Sequence, residues 1–169
     1  MTSLPRPRPF PPTDLDLPDA VLVFLDFVQT TMVNKLAGLT EPQAASTPIP
    51  TSPVMSPLGL IKHLTAVLRQ HVQIHIGGLD LPVLWDGNDH DSEWRLGPGD
   101  TIATVLARFD DECAVSRHTL AGLDMETRII AYGNPNRVGR LLVDVLQECA
   151  RHLGHMDIVR ELIDGAKGE

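Results

Sequence analysis

The sequence predicts an all-α fold, a four-helix bundle with a long crossover between its second and third helices. Four segments carry apolar residues at three- and four-residue spacing, which is typical of helices that each bury one face. Proline and glycine stand at the ends of these segments, where they favour the start and the end of a helix. The connection from Gly77 to Gly99 lacks this spacing and is long enough to cross the bundle.

The composition limits the classes of partner. The chain has 169 residues, 43% of them hydrophobic, and a net charge of −8. The negative charge argues against nucleic acid or an anionic membrane surface as a partner. No apolar run reaches the length of a membrane span and the N-terminus lacks the apolar core of a secretion signal, so we expect a cytoplasmic protein. Cys113 and Cys149 lie in helical patterns and predict no disulfide.

Residues 1–18 are rich in proline and are predicted to form an extended arm in front of one domain that spans residues 19–165. Such an arm could pack on a partner subunit or cover a site. A loosely ordered tail is the more common outcome for a terminus of this composition.

The first helix is predicted to begin at Pro18-Asp19, because proline suits a first turn and an early acid favours the helix dipole. It ends at Gly38, and residues 40–43 predict a short capped turn. The second helix begins at Ser56-Pro57, an N-cap followed by proline at the first helical position. The third helix is predicted to run from an N-cap at Asp100 to Gly122.

Two connections complete the chain. Residues 125–138 are expected to reach the last helix through the turn cluster Gly133-Asn134-Pro135. In the crossover, Trp85 and Trp94 are predicted to pin the loop across the bundle, with a role as a pocket wall as the alternative.

The last helix is predicted from Arg140 to Asp164. Its buried stripe consists of Leu141, Val145, Cys149, Met156, Val159 and Ile163. Glu148, His152 and His155 fall on the same stripe, where a simple bundle helix would carry leucine or valine. Burying an unpaired carboxylate is costly, so the pattern predicts a compensating group. Glu148 and His152 could hold one cation together, with a third ligand from a neighbouring helix.

The spacing leaves the third ligand open. His63, at the edge of the inner face of the second helix, is a candidate, although a lone histidine there is often an ordinary core residue. His71 and His75 form a rival pair with the same four-residue spacing, near the end of that helix, where solvated histidines are common. Cys149 adjoins Glu148, but a small buried cysteine in a helical stripe is ordinary packing.

Three segments, SPLGLIKHL, RLGPGDT and ECARHLGHMDIVRELIDG, together resemble the DinB-like metal-binding superfamily of four-helix bundles. The resemblance extends from Asp19 to Gly165 and is greatest to its mycothiol-dependent branch, the mycothiol S-transferases and the N-terminal domain of maleylpyruvate isomerases. In this superfamily one histidine of the second helix and two ligands four residues apart on the last helix hold the metal. The resemblance therefore maps the metal ligands onto His63, Glu148 and His152, and it lowers the standing of the rival pair.

The resemblance also implies chemistry. It implies a divalent metal, zinc or nickel, and a transferase that activates a low-molecular-weight thiol, mycothiol or a similar one, as the cosubstrate for attack on an electrophile. His155 would then support His152 or carry a proton, whereas Asp157 and Arg160 are predicted to form salt bridges. The alternatives are a non-catalytic, stress-related metal-binding protein and a metal-free bundle whose polar core satisfies itself. A homodimer is expected.

Overall fold

Four long helices form the bundle in the computed structural model, which describes residues 4–168. The helices are α1 (Leu17–Asn34), the short α2 (Glu41–Ala45), α3 (Pro57–Leu68), α4 (Ile102–Leu120) and α5 (Val138–Asp164); the strands are β1 (Arg128–Ala131) and β2 (Asn134–Arg137). Helix α5 packs on α1 and α3, and α3 also packs on α4. The predicted all-α bundle is confirmed. Within residues 4–168, no helix is both long enough and apolar enough to cross a membrane.

The apolar stripes of the four long helices meet in one core. Met32, Leu64, Phe109 and Met156, one from each of these helices, are at most 1% exposed. Burying a side chain of this size stabilises the fold by about 1.5–3 kcal/mol. This shared core fixes the rotation of each helix and therefore the direction in which its polar residues point.

The helix starts follow their capping residues. Ser56 caps α3 by accepting a hydrogen bond from the Gly59 N–H, as the sequence predicts. Helix α4 differs from the prediction, because its N-cap is Thr101, which forms a capping box with Thr104. The Asp100 carboxylate is used elsewhere: it accepts from Lys62 and from the Gly97 N–H.

Helix α3, which is the predicted second helix, changes its hydrogen-bonding pattern after Leu68. The chain continues from there as a π-helix over Arg69–Ile76. Segments of this kind are rare, and no pattern in the sequence predicts this one. The buried carboxylate of Glu112 on α4 accepts hydrogen bonds from Arg69 and Gln73, which ties the π-helix to the core. The π-helix that extends α3 is thereby fixed against α4.

Two connections have distinct structures. The predicted crossover from Gly77 to the start of α4 contains neither a helix nor a strand, only one bridge between Asp86 and Asp89. The predicted turn cluster after α4 lies in an antiparallel hairpin in which β1 pairs with β2: Gly133 is in the turn, and Asn134 and Pro135 begin β2. Tyr132 and Gly133 occupy the turn with φ of 54° and 74°, the left-handed conformation that tight hairpin turns require.

The proline-rich arm lies on its own domain. The Arg6 guanidinium donates to both carboxylate oxygens of Asp110 at 2.7 Å, and the Asn34 side chain bonds to the Arg6 backbone. Arg8 lies over the ring of Phe27, 4.4 Å from its centroid. This packing differs from the loosely ordered tail expected for such a terminus. Residues 1–3 of the predicted arm lie outside the described range.

Candidate metal centre

Three side chains from α3 and α5 converge beside the crossover loop. His63, Glu148 and His152 each offer one ligand atom, and these atoms lie within 4.8 Å of one another. The Glu148 Oε2 atom lies 3.1 Å from His152 Nε2 and 3.8 Å from His63 Nε2. Across residues 4–168 this is the only such group of three histidine, cysteine or acidic side chains. The structure thus brings together the three residues that the resemblance selected.

Core packing explains why these side chains meet. Leu64 of α3 and Cys149 of α5 adjoin the candidate ligands in sequence and are fully buried. Their burial fixes the rotation of both helices, so that His63 and Glu148 lie at the edge of the core rather than in solvent. His152 follows Glu148 by one helical turn and is only 6% exposed.

The environment of His63 tests whether a cation fits. Its Nδ1 atom lies 2.8 Å from Glu93 Oε1, whereas its Nε2 atom is buried and has no hydrogen-bond partner among the described residues. An unpaired buried polar atom costs about 1–3 kcal/mol. A cation would relieve this cost, since a ring nitrogen with a free lone pair is a good ligand.

The donor set also fits a divalent cation. Zinc binds imidazole nitrogen and carboxylate oxygen at about 2.0–2.2 Å, which places neighbouring tetrahedral ligands about 3.3 Å apart. The separations of 3.1 and 3.8 Å at Glu148 lie on either side of this value. Burial lowers the pKa of His152 to about 3, and nearby His63, His155 and Arg151 contribute in the same direction. The His152 ring is therefore neutral near pH 7, as metal binding requires.

His155 contacts the ring of the candidate ligand His152. The Nδ1 atoms of the two rings lie 3.1 Å apart, on the side of His152 remote from Glu148. This position suits the predicted support of the ligand, because His152 can donate from Nδ1 to His155 while its Nε2 atom stays available.

The crossover loop supplies two residues that pack on the site. The Trp94 ring stacks on His63, with 4.0 Å between centroids and 11° between planes, and contacts the edge of His152. Glu93 holds the other nitrogen of His63. Sequence reasoning missed Glu93, and the only signal was an acid beside a tryptophan in a loop of unusual length. Trp94 fits the predicted pinning role, and Trp85 fits the alternative of a pocket wall.

An open cleft of about 460 Å³ leads to the site, a size suited to a small molecule. Its lining residues are His63, Val67, His71, Trp85, His90, Glu93, Asp144, Gln147 and Glu148. Two of the three candidate ligands therefore face a space that a substrate could enter. Seven of the nine lining side chains are histidine, acidic or amide groups, and Val67 and Trp85 add apolar surface, so the cleft offers a bound molecule both polar and apolar contacts.

The rival pair has other partners. His71 Nδ1 donates to the Val67 carbonyl, which leaves Nε2 to accept from the Tyr132 hydroxyl, both at 3.0 Å. His75 Nε2 accepts from the Gln70 side chain at 2.8 Å. Burial lowers the pKa of both histidines. Within the described residues no third ligand accompanies this pair, so the geometry favours the other site.

Other residues near the end of α5 have structural roles. Asp157 pairs with Lys35 and Arg160 with Asp164, each at 2.8 Å, in agreement with the predicted salt bridges. Both cysteines are free and buried. Burial and the neighbouring Glu148 raise the pKa of Cys149 to about 12, which suits packing and not a nucleophile.

Comparisons with known proteins place this fold and site in context. A crystal structure titled as the conserved protein of a locus from Enterococcus faecalis superimposes with a TM-score of 0.67 at 16% identity, covering 90% of this chain and 100% of that chain. At this identity the likeness shows the fold alone. Comparison with curated protein sequences gives no match. The profile of the mycothiol-S-transferase family matches residues 20–165, nearly the whole chain, and the chain therefore belongs to the mycothiol-S-transferase family.

Proposed function

We propose that the protein is a metal-dependent thiol transferase that activates a low-molecular-weight thiol, mycothiol in the first instance, for attack on an electrophile. His63, Glu148 and His152 would hold the metal, zinc or nickel. The observation that carries this proposal is the convergence of their ligand atoms beside an open cleft. One of these atoms is a buried nitrogen that no described residue hydrogen-bonds. Family membership supports the transferase class and the thiol substrate.

The residues of the site have complementary tasks in this proposal. A divalent cation held there would lower the pKa of a coordinated thiol, so that the sulfur is a thiolate at neutral pH. Glu148 supplies one negative charge to the site, and burial keeps His152 neutral. The cleft would orient the electrophile toward the sulfur and exclude bulk water from one side.

The transfer step requires a path for one proton. As the sulfur–carbon bond forms, the electron pair of the broken bond leaves with the departing group, and the thiol proton must go to a base. The open cleft would let this proton pass to solvent, whereas His155, whose Nδ1 atom lies 3.1 Å from that of His152, would accept a hydrogen bond from the ligand ring and leave the Nε2 atom of that ring to the metal. A reduced thiol cosubstrate implies a reducing compartment, the cytoplasm.

Metal analysis of purified protein tests the site. Wild type is expected to carry near-stoichiometric metal, and His63→Ala, Glu148→Ala and His152→Ala are each expected to lose it, because two remaining ligands bind weakly. His118→Ala is the matched control, since His118 is exposed on α4. Retention of metal in the three variants, with loss in His71→Ala and His75→Ala, would instead assign the metal to the rival pair.

A second candidate function is metal binding without catalysis, as in a stress-related binder. The convergence of the three candidate ligands supports it, because metal binding alone needs no group beyond these ligands. Conjugation of a generic electrophile by metal-loaded protein separates the two functions. Turnover with mycothiol or another thiol supports the transferase, and bound metal without turnover for any thiol supports the binder.

A further inference from the structure

We propose that Glu93 is a positioning residue, through which the crossover loop orients His63 so that its Nε2 atom is available to the metal. This inference rests on the proposed metal site and deepens it. The loop would then be part of the metal centre, although it contributes no ligand.

The hydrogen bond between Glu93 and His63 selects one form of the ring. Glu93 Oε1 lies 2.8 Å from His63 Nδ1, and the two side chains are only 16% and 12% exposed. A carboxylate accepts hydrogen bonds, so Nδ1 carries the proton and donates it. The lone pair is then on Nε2, the atom that faces Glu148 at 3.8 Å and finds no hydrogen-bond partner within residues 4–168.

Trp94 fixes the plane of the same ring. It stacks on His63 with 4.0 Å between centroids and 11° between planes. Rotation of the imidazole about its bond to the side chain would break this stacking and move Nδ1 away from Glu93. Glu93 and Trp94, which are consecutive in the loop, therefore hold the His63 ring together. Glu93 accepts the hydrogen bond from Nδ1, and Trp94 stacks on the face of the ring.

The loop itself is attached firmly to α3. Lys62, which precedes His63, donates to the Arg95 carbonyl at 2.6 Å and to Asp100 Oδ2 at 2.8 Å. The Trp94 carbonyl approaches Gly59 so closely that a Cβ atom there would lie 2.8 Å from its oxygen. The segment from Glu93 to Asp100 is thus held where its acid can reach His63.

Loss of Glu93 would free the ring to adopt either tautomer. With the proton on Nε2, the ring would donate toward Glu148 and its ligand atom would be blocked. Removing the partner of a metal-binding histidine typically weakens metal affinity by about 10- to 100-fold.

The test measures zinc affinity by competition with a chromophoric chelator for wild type, Glu93→Gln and Glu93→Ala. We expect the dissociation constant to rise about 10- to 100-fold in Glu93→Ala and less in Glu93→Gln, whose amide oxygen can still accept from Nδ1. Glu126→Gln is the matched control, because it breaks a surface pair with Arg137 and should leave the affinity unchanged. Thermal melting confirms that each variant is folded.

A spectroscopic readout separates positioning from general loosening. In metal-free protein, ¹⁵N-resolved NMR should show His63 protonated on Nδ1 in wild type and as a tautomer mixture in Glu93→Ala. Unchanged affinity together with an unchanged tautomer would overturn the inference. If wild type binds no zinc while the tautomer still shifts in Glu93→Ala, the proposed metal site fails and the positioning of the ring by Glu93 stands.

Discussion

Cys149 adjoins the candidate ligand Glu148 in sequence, but its side chain points into the core. It is fully buried, and burial together with the Glu148 charge raises the pKa of its thiol to about 12. We therefore expect Cys149→Ala to retain metal and thiol transfer while lowering the free energy of unfolding by about 1–2 kcal/mol, the cost of a small cavity. Urea unfolding and metal analysis check this. Loss of transfer with metal retained would instead identify Cys149 as a nucleophile.

Single residues differ in how well the sequence could reveal them. Glu148 and His152 were predicted because they interrupt a buried stripe whose period is that of a helix. The spacing alone does not show whether His63 is a metal ligand or an ordinary core residue. The family resemblance is what selects it as a ligand. Glu93 lies in a loop without periodicity, 30 positions from its partner, and no local pattern reports such a contact.

At the scale of elements, Asp100 joins the crossover loop to α3 and α4. Its side chain is 6% exposed and bonds to Lys62, Arg108 and the Gly97 N–H. Burial alone would raise the pKa of Asp100, but these hydrogen bonds outweigh it and lower the pKa to about 2. Because the folded value lies below the unfolded value of about 4, the ionised carboxylate stabilises the folded state.

These hydrogen bonds predict that Asp100→Asn lowers the free energy of unfolding by an amount that depends on pH. Relative to wild type, we expect the variant to lose about 2 kcal/mol of unfolding free energy at pH 7. The difference should shrink to about half near pH 3, fall to a small fraction by about pH 2 and vanish below that, as the wild-type carboxylate becomes protonated. Urea unfolding across this range gives the values. Asp89→Asn is the control, since its pair with Arg95 is exposed and screened by solvent.

An equal loss at pH 7 and pH 3 would contradict the assignment of the stabilisation to the ionised form of Asp100. In that case the carboxyl group would act only through its shape and its neutral hydrogen bonds.

Elements were predictable where periodicity and caps agree. Helix α3 begins at the predicted Ser56-Pro57, and the predicted last helix coincides with α5 apart from two residues at its start. The hairpin was missed, because β2 has the sequence NPNR, which contains no residue that favours strands. The N-cap of α4 was predicted one residue too early, at Asp100 instead of Thr101. Both residue types can cap a helix, and the tertiary hydrogen bond from Lys62 engages Asp100, so that Thr101 is the cap.

At the scale of the whole molecule, the helices form a ring in the order α1, α5, α3 and α4. The candidate site lies at the seam between α3 and α5. The opposite seam, between α1 and α4, has few direct contacts between its helices, and the arm lies there. The arm bonds to α4 through Asp110 and to α1 through Asn34 and Phe27. It therefore closes the part of the bundle where direct helix packing is weakest.

Deletion of residues 1–10 should consequently reduce stability without affecting the site. The deletion removes the bidentate salt bridge between Arg6 and Asp110. It also removes the contact of Phe10 with Phe27, whose ring centroids lie 5.5 Å apart. We expect a loss of about 1–3 kcal/mol, and for a domain of this size each kcal/mol lowers the melting temperature by about 2–4 °C. Metal content should not change, because none of the described arm residues, 4–18, lines the cleft.

Sedimentation of the same deletion variant tests the expected homodimer. If the arm serves only its own domain, the variant keeps the oligomeric state of the full chain while its melting temperature falls. An unchanged melting temperature together with dissociation of a dimer would show that the arm acts between subunits. Arg6→Ala refines the comparison, because it breaks only the bond to Asp110 and should produce part of the loss caused by the deletion.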